Sequence, residues 1–168
     1  MQTLKLSKVL QSLGFTVTVL CYFEHDAIIV KEFQTTGSDV KLLDMKRNLS
    51  TWTFINRLRK EIQKINPEVV HVQYMAPGAL PIIAARRAGI KKIFATVHQP
   101  WIHSHGLLAK IILRVAALLT TKFIAVSLNA EKSWFGSATL FNEKRSLKFQ
   151  PHHFTIHNAI NTAEIDQI

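Results

Sequence analysis

Apolar positions along this chain switch between two rhythms, and the switches mark its elements. Leu6, Val9, Leu10 and Leu13 recur at helical spacing, and Gly14 follows where a left-handed residue closes a helix. Residues 15–22 (FTVTVLCY) then alternate and are rich in β-branched side chains, which predicts a strand. Two weaker strands are predicted at residues 27–33 and 40–43, separated by the turn-rich segment 35–39. Ser50 or Thr51 caps a longer helix, whose Ile55, Leu58, Ile62 and Ile65 form one apolar stripe. Asn66-Pro67 stops it, because proline lacks the amide hydrogen and clashes with a preceding helical turn.

The next segment, residues 67–101, reads as strand, helix, strand. Val69, Val70 and Val72 make a short β-branched run around His71, as expected of a strand buried on both faces. A helix over residues 79–88 ends at Gly89, and a second strand at 93–97 delivers His98, Gln99, Pro100 and Trp101 into the following loop. A very apolar helix at 106–119, a strand at 122–126, a short helix at 129–135, an irregular basic stretch at 136–153 and a last strand at 154–156 complete the pattern. Strands alternating with helices predict α/β architecture with a mainly parallel, Rossmann-like sheet and helices on both faces. Ligands in such sheets collect at the carboxyl ends of strands, where this reading places both His71 and His98.

Composition narrows the class. The chain has 168 residues, 48% of them hydrophobic, long enough for one domain with a real core. A single cysteine, Cys21, forbids an internal disulfide and fits a reducing compartment, so a cytoplasmic location is expected, with contact at the inner membrane face as a further option. No uncharged run reaches the ~20 residues that span a bilayer. Twenty-one Lys and Arg against 11 Asp and Glu give a net charge of +10, which suits an anionic surface or an anionic ligand. Nucleic acid is not expected, because the aromatic residues fall mostly within predicted strands and helices. The glycine-rich dinucleotide loop, the P-loop, the zinc-protease helix, the paired-cysteine motif and the nucleophile elbow are all missing, which argues against those enzyme classes.

The ordered set of segments 6–20 (LSKVLQSLGFTVTVL), 66–72 (NPEVVHV), 95–99 (ATVHQ), 123–127 (FIAVS) and 154–161 (FTIHNAIN) resembles the N-terminal domain of the family-4 (group 1) glycosyltransferases. That resemblance implies one half of a GT-B fold, the acceptor side of an enzyme that moves a sugar from a nucleotide-sugar donor to a glycan or lipid-linked acceptor. It implies no resident cofactor, the nucleotide sugar being a co-substrate held mainly by a C-terminal domain. In the family a first strand and a glycine-rich loop precede the helix that here starts near Thr3. On this reading residues 1–168 form a subfamily-4-like N-terminal domain that lacks that strand and the donor half, and that is inactive alone. Asn158 matches the asparagine of the family's interdomain motif, while His157, Ala159 and Asn161 depart from it, and Ala159 cannot take positive φ as cheaply as glycine. The alternative is an inactive fragment that binds a glycan or a partner chain.

Candidate residues divide by chemistry. His98 could hydrogen-bond the acceptor hydroxyl or take its proton near neutral pH, or it could only anchor its loop. His71 could touch ligand or pack at a strand end with one nitrogen satisfied. Gln99 and Trp101 follow His98, and an aromatic face such as Trp101 can stack on a sugar ring. Ser127 could bind a phosphate or sugar hydroxyl, or cap the next helix. Asn158 could bridge a cleft or stabilise a turn. No metal is expected, because no carboxylate or cysteine accompanies His98, His103 and His105. The helix at 106–119, with only Lys110 and Arg114 charged, is expected mostly to cover the sheet. Contact with an anionic membrane is the other reading, aided by Lys144, Arg145, Lys148, His152 and His153, with Trp134 and Phe135 at headgroup depth.

Overall fold

The computed structural model describes residues 2–74 and 79–158. The chain divides into two compact units, Met1–Phe54 and Ile55–Ile168. All strand pairings among the described residues are parallel.

In the first unit, α1 (Gln2–Ser12) leads through Gly14, at φ +84°, to β1 (Thr18–Cys21). After α2 (Ala27–Thr35), β2 (Asp39–Leu42) pairs with β1, Thr18 opposite Asp39. Residues 27–33 were expected to be a strand; they are helical. The Asp26 carboxylate accepts from the amides of Ile28 (2.7 Å) and Ile29 (3.2 Å), an N-cap that outweighs the β-branched run behind it. The apolar stripe of α1 is also less covered than its spacing suggests, since Val9 and Leu13 are exposed. Tyr22, Phe23 and Phe54 cluster with ring centroids 5.0–5.5 Å apart. Cys21 is half-buried, and burial pushes its thiol pKa up, away from nucleophile behaviour.

Helix α3 (Thr51–Ile65) begins at Ser50, whose hydroxyl accepts from the Thr53 amide at 3.2 Å. It ends at Asn66, which takes the left-handed conformation at φ +50°. Its Ile55, Leu58 and Ile62 are buried.

The second unit carries a four-stranded sheet in the order β3 (Val69–Tyr74), β4 (Lys92–Val97), β5 (Lys122–Ala125), β6 (His153–Thr155). Helices α4 (Ala79–Arg87), α5 (Leu107–Ala117) and α6 (Leu128–Phe135) join neighbouring strands in turn, and right-handed crossovers of that kind place all three on one face. Val72, Ile93, Ala95, Val97, Phe123 and Ala125 are buried with Ile82, Ala84 and Ala85 of α4 and Leu113, Ala116 and Ala117 of α5.

Two readings fail here. Helix α5 was expected to be mostly covered, yet six of its large apolar residues, including its capping residue Leu118, are exposed. The membrane reading would have put Trp134 and Phe135 at headgroup depth, yet Trp134 is a core residue 2% exposed, and half-buried Phe135 stacks on His153.

One buried charge holds the far edge of the sheet. Glu131 of α6 is fully buried and accepts from Thr155 Oγ1 (2.6 Å) and the Thr139 amide (3.1 Å), with His153 Nδ1 at 2.6 Å. A carboxylate so enclosed is tolerable only because each oxygen is bonded. Replacing it by alanine strands three polar groups, so Glu131→Ala should lower unfolding free energy by about 2–5 kcal/mol. A shift of the urea midpoint with unchanged slope would measure it; a loss below about 1 kcal/mol would contradict this role.

Candidate functional site

Strand alternation aims His71 and Gln73 of β3 and Phe94 and Thr96 of β4 at the same sheet face, since His71 lies opposite Phe94 and Gln73 opposite Thr96. His98 continues that side of β4 just beyond its carboxyl end. His71 is therefore not at a strand end, as the sequence implied, but in the interior of β3, third of six residues.

These side chains form a continuous polar line. Thr96 Oγ1 lies 2.8 Å from His71 Nε2, Gln73 Nε2 lies 3.2 Å from the same nitrogen, and Gln73 Oε1 lies 2.8 Å from His98 Nε2. The amide of Gln73 decides the proton position on His98, because its oxygen only accepts. Gln73 Nε2 also lies 3.4 Å from His71 Nδ1, so the neutral His71 ring offers that amide an acceptor nitrogen in either tautomer, and Thr96 Oγ1 donates to or accepts from Nε2 accordingly. His98 must carry its proton on Nε2, which leaves Nδ1 as its basic nitrogen. His71 is pushed down to about 4, by burial first and by the neighbouring His98 charge second. Burial also holds His98, which is half-buried, below the usual histidine value. Near neutral pH both rings are uncharged, and His98 offers a fixed acceptor nitrogen.

The loop after His98 is pinned to α6. Trp134 Nε1–H donates to the Gln99 carbonyl (2.8 Å), and the Trp101 amide donates to Ser133 Oγ (2.7 Å). Trp101 Nε1–H donates to the Gly106 carbonyl at 3.2 Å, and Lys110 Nζ stands 4.5 Å from the Trp101 ring centre, covering one of its faces. His103 meets the edge of Trp101, and His105 stacks on Trp134. The side chain of Gln99 is exposed while its carbonyl is anchored.

Ser127 follows β5 one step past the position opposite His98, in line with Gln99, since Val97 lies opposite Ala125 and the Val126 amide donates to the Val97 carbonyl (3.2 Å). Its hydroxyl accepts from the Ala130 amide at 3.1 Å and so caps α6. Asn158 is exposed beyond β6. Ala159 and Asn161 lie outside the described residues. Among the described residues no group of His, Cys, Asp or Glu could hold a metal ion. The structure thus gathers His71 and His98 into one network and sets Gln99, Trp101 and Ser127 along the same edge. Gln73 and Thr96 complete that network; alternation from His71 would have placed Gln73 on its face, but nothing in the sequence pairs either residue with His98.

Comparisons with known proteins bear on the family and the fold. The family model described as Glycosyltransferase Family 4 matches residues 1–136. A crystal structure of a glycosyltransferase from Rickettsia africae is similar at TM-score 0.64 and 19% identity, covering 98% of this chain and 40% of that one. A structure of a candidate UDP-N-acetylglucosamine 2-epimerase from Listeria monocytogenes is similar at TM-score 0.57 and 12% identity, covering 79% of this chain and 38% of that one. The chain thus spans about two fifths of the length of these structures. No curated protein matches it in sequence.

The buried His71 makes folding pH-dependent. Its folded value of about 4 lies below the unfolded value of about 6.5, so the unfolded chain takes up the proton first. Its contribution is complete above about pH 6.5 and is lost as pH falls toward 4, by up to about 3 kcal/mol. Urea unfolding across that range should show this slope in the wild type and a flatter one in His71→Gln. A second outcome tests the tautomer: nitrogen NMR of His98 should show the proton on Nε2, and Gln73→Glu should raise the His98 pKa by placing a carboxylate beside it.

Proposed function

This chain belongs to glycosyltransferase family 4, and from that premise we propose that it is the acceptor-side domain of an enzyme moving a sugar from a nucleotide-sugar donor to a glycan or lipid-linked acceptor. The observation that carries the reading is His98 at the carboxyl end of β4, its Nε2 bound to Gln73 and its Nδ1 left basic. That edge is where parallel α/β sheets place ligands, and an imidazole held in one tautomer is suited to orient a hydroxyl.

In the proposed reaction an acceptor hydroxyl donates to His98 Nδ1 and attacks the anomeric carbon of the donor. The new carbon–oxygen bond forms as the bond to the nucleotide diphosphate breaks. The hydroxyl proton passes to His98 and from there to solvent, and the diphosphate leaves with the electron pair. Cations on the donor side would stabilise that leaving charge. Gln73 acts as a positioning residue, and His71 with Thr96 fixes which way its amide faces. Trp101 offers its remaining ring face to a sugar, while Gln99 and Ser127 border the same edge. Asn158 is assigned to the side facing the donor half.

The shared coverage with the Rickettsia africae glycosyltransferase, 40% of that chain, supports reading this domain as one of the two halves of such an enzyme. Acting by itself, it would be a glycan-binding module without turnover. Titration of an acceptor-type oligosaccharide panel should shift the NMR signals of His98, Gln99 and Trp101, with His98→Ala weakening binding about tenfold or more, as loss of a buried hydrogen bond does. Calorimetry with nucleotide sugars should give no tight binding to this chain. Tight nucleotide-sugar binding, or acceptor signals that leave His98 unmoved, would overturn the acceptor-side assignment.

A further inference from the structure

Helix α5 presents an apolar face that no described residue covers. Leu107, Leu108, Ile111, Ile112 and Val115 of the helix, with Leu118 at its C-cap, range from 42% exposed at Ile112 to 73% at Leu118. At about 100° per residue these six fall on one side, opposite the buried Leu113, Ala116 and Ala117. Lys110 and Arg114, one turn apart, run along one rim of that face, Lys110 Nζ standing 4.5 Å from the Trp101 ring centre and Arg114 Nε donating to the Trp134 carbonyl at 2.7 Å. The rim continues at the helix end, where the Arg86 guanidinium donates to the Leu119 carbonyl (2.9 Å) and His152 Nε2 bonds the Ala117 carbonyl (2.8 Å).

The charge around this face has one sign. No Asp or Glu occurs between Glu68 and Glu131, a stretch that carries seven Lys and Arg. Of those seven, Lys92 faces Glu68 and Lys122 is buried. Glu131, the only carboxylate on α4, α5 or α6, is fully buried under α6. A greasy stripe with a cationic rim and no exposed carboxylate on the helices around it matches an anionic lipid surface, with acyl chains for the leucines and headgroup phosphates for the cations.

We propose that α5 docks in the plane of an anionic bilayer, its six apolar side chains seated at the acyl boundary and its cationic rim, with Lys110 and Arg114 held in their contacts to Trp101 and Trp134, level with the headgroup phosphates. An 11-residue helix is about 16 Å long, half of the ~30 Å hydrocarbon thickness, so it lies on the membrane. Accordingly, no helix among the described residues is long and apolar enough to cross one. A second copy is a poorer occupant, because two such faces would bring two cationic rims together in molecules of net charge +10. The inference does not depend on sugar transfer.

Flotation of the 168-residue chain with vesicles tests it. The chain should float with phosphatidylcholine vesicles containing about one third phosphatidylglycerol, much less with pure phosphatidylcholine, and less as salt rises. Ile111→Asp/Val115→Asp should lower partitioning about tenfold or more, because each buried aliphatic side chain contributes on that scale. Leu13→Asp, at an exposed apolar residue of the first unit, should leave it unchanged. Far-ultraviolet circular dichroism confirms that the variants fold, as substitution at exposed positions should allow. Failure of the wild type to float, equal flotation of the double variant, or a wild-type dimer that the double variant dissociates would each overturn the proposal.

Discussion

Parallel pairing of β3, β4, β5 and β6 is the constraint on which the site depends. Parallel neighbours cannot be joined by tight hairpins, so each strand must be followed by a crossover that carries the chain back to the starting edge. Every carboxyl end consequently opens onto one edge, and the residues after the strands meet there whatever their sequence separation. The pairing even runs past the strands: Val126 donates to Val97, and Ile156 donates to Ala125 at 2.9 Å. His98, Ser127 and His157 each leave the sheet within a residue or two of those bonds. An antiparallel β4 would send His98 to the opposite edge.

Given that frame, the polar line across β3 and β4 is costly unless closed. Thr96 is buried and His71 nearly so, and an unpaired hydroxyl or imidazole there would lose water without replacement. The network resolves this by giving each of them a partner. His71 accepts from Gln73 and hydrogen-bonds Thr96, and Gln73 accepts from His98. His98 Nδ1 then carries its lone pair at the more exposed end. Satisfying the interior therefore makes the group at the rim basic, without any charge in the sheet.

Much of this was legible in the sequence, and the failures have specific causes. β-Branched runs marked β3, β4 and β5, and Gly14, Gly89 and Asn66 marked helix ends, because those signals are local. The α/β class with parallel pairing followed from the alternation of elements. Residues 27–33 were misread because their side chains favour strands, while the single Asp26 carboxylate that starts the helix carries no periodicity. His71 was identified as notable but misplaced by a strand two residues longer than its β-branched core. Thr96 was invisible as a site residue because its partner comes from register, which is a property of two strands and not of one. The burial of α5 was overestimated for a related reason: hydrophobicity reveals that a face wants cover, and not whether the sheet is wide enough to supply it.

The α5 face and the His98 site are mechanically one piece, and this narrows the kind of acceptor that would suit the domain. Helix α5 begins where the loop after β4 ends. That loop is tied at Gln99 and Trp101 to α6, at Trp101 to the Gly106 carbonyl, and through Lys110 back onto the Trp101 ring. None of these contacts leaves the loop free to swing independently of the helix. A bilayer holding α5 would therefore fix the height and tilt of His98 relative to the headgroups. For a freely diffusing sugar that placement brings no advantage in encounter or orientation. For a sugar carried on a lipid it removes one dimension of the search and presents the hydroxyl from the membrane side, so membrane docking of α5 and a lipid-linked acceptor at His98 would reinforce each other.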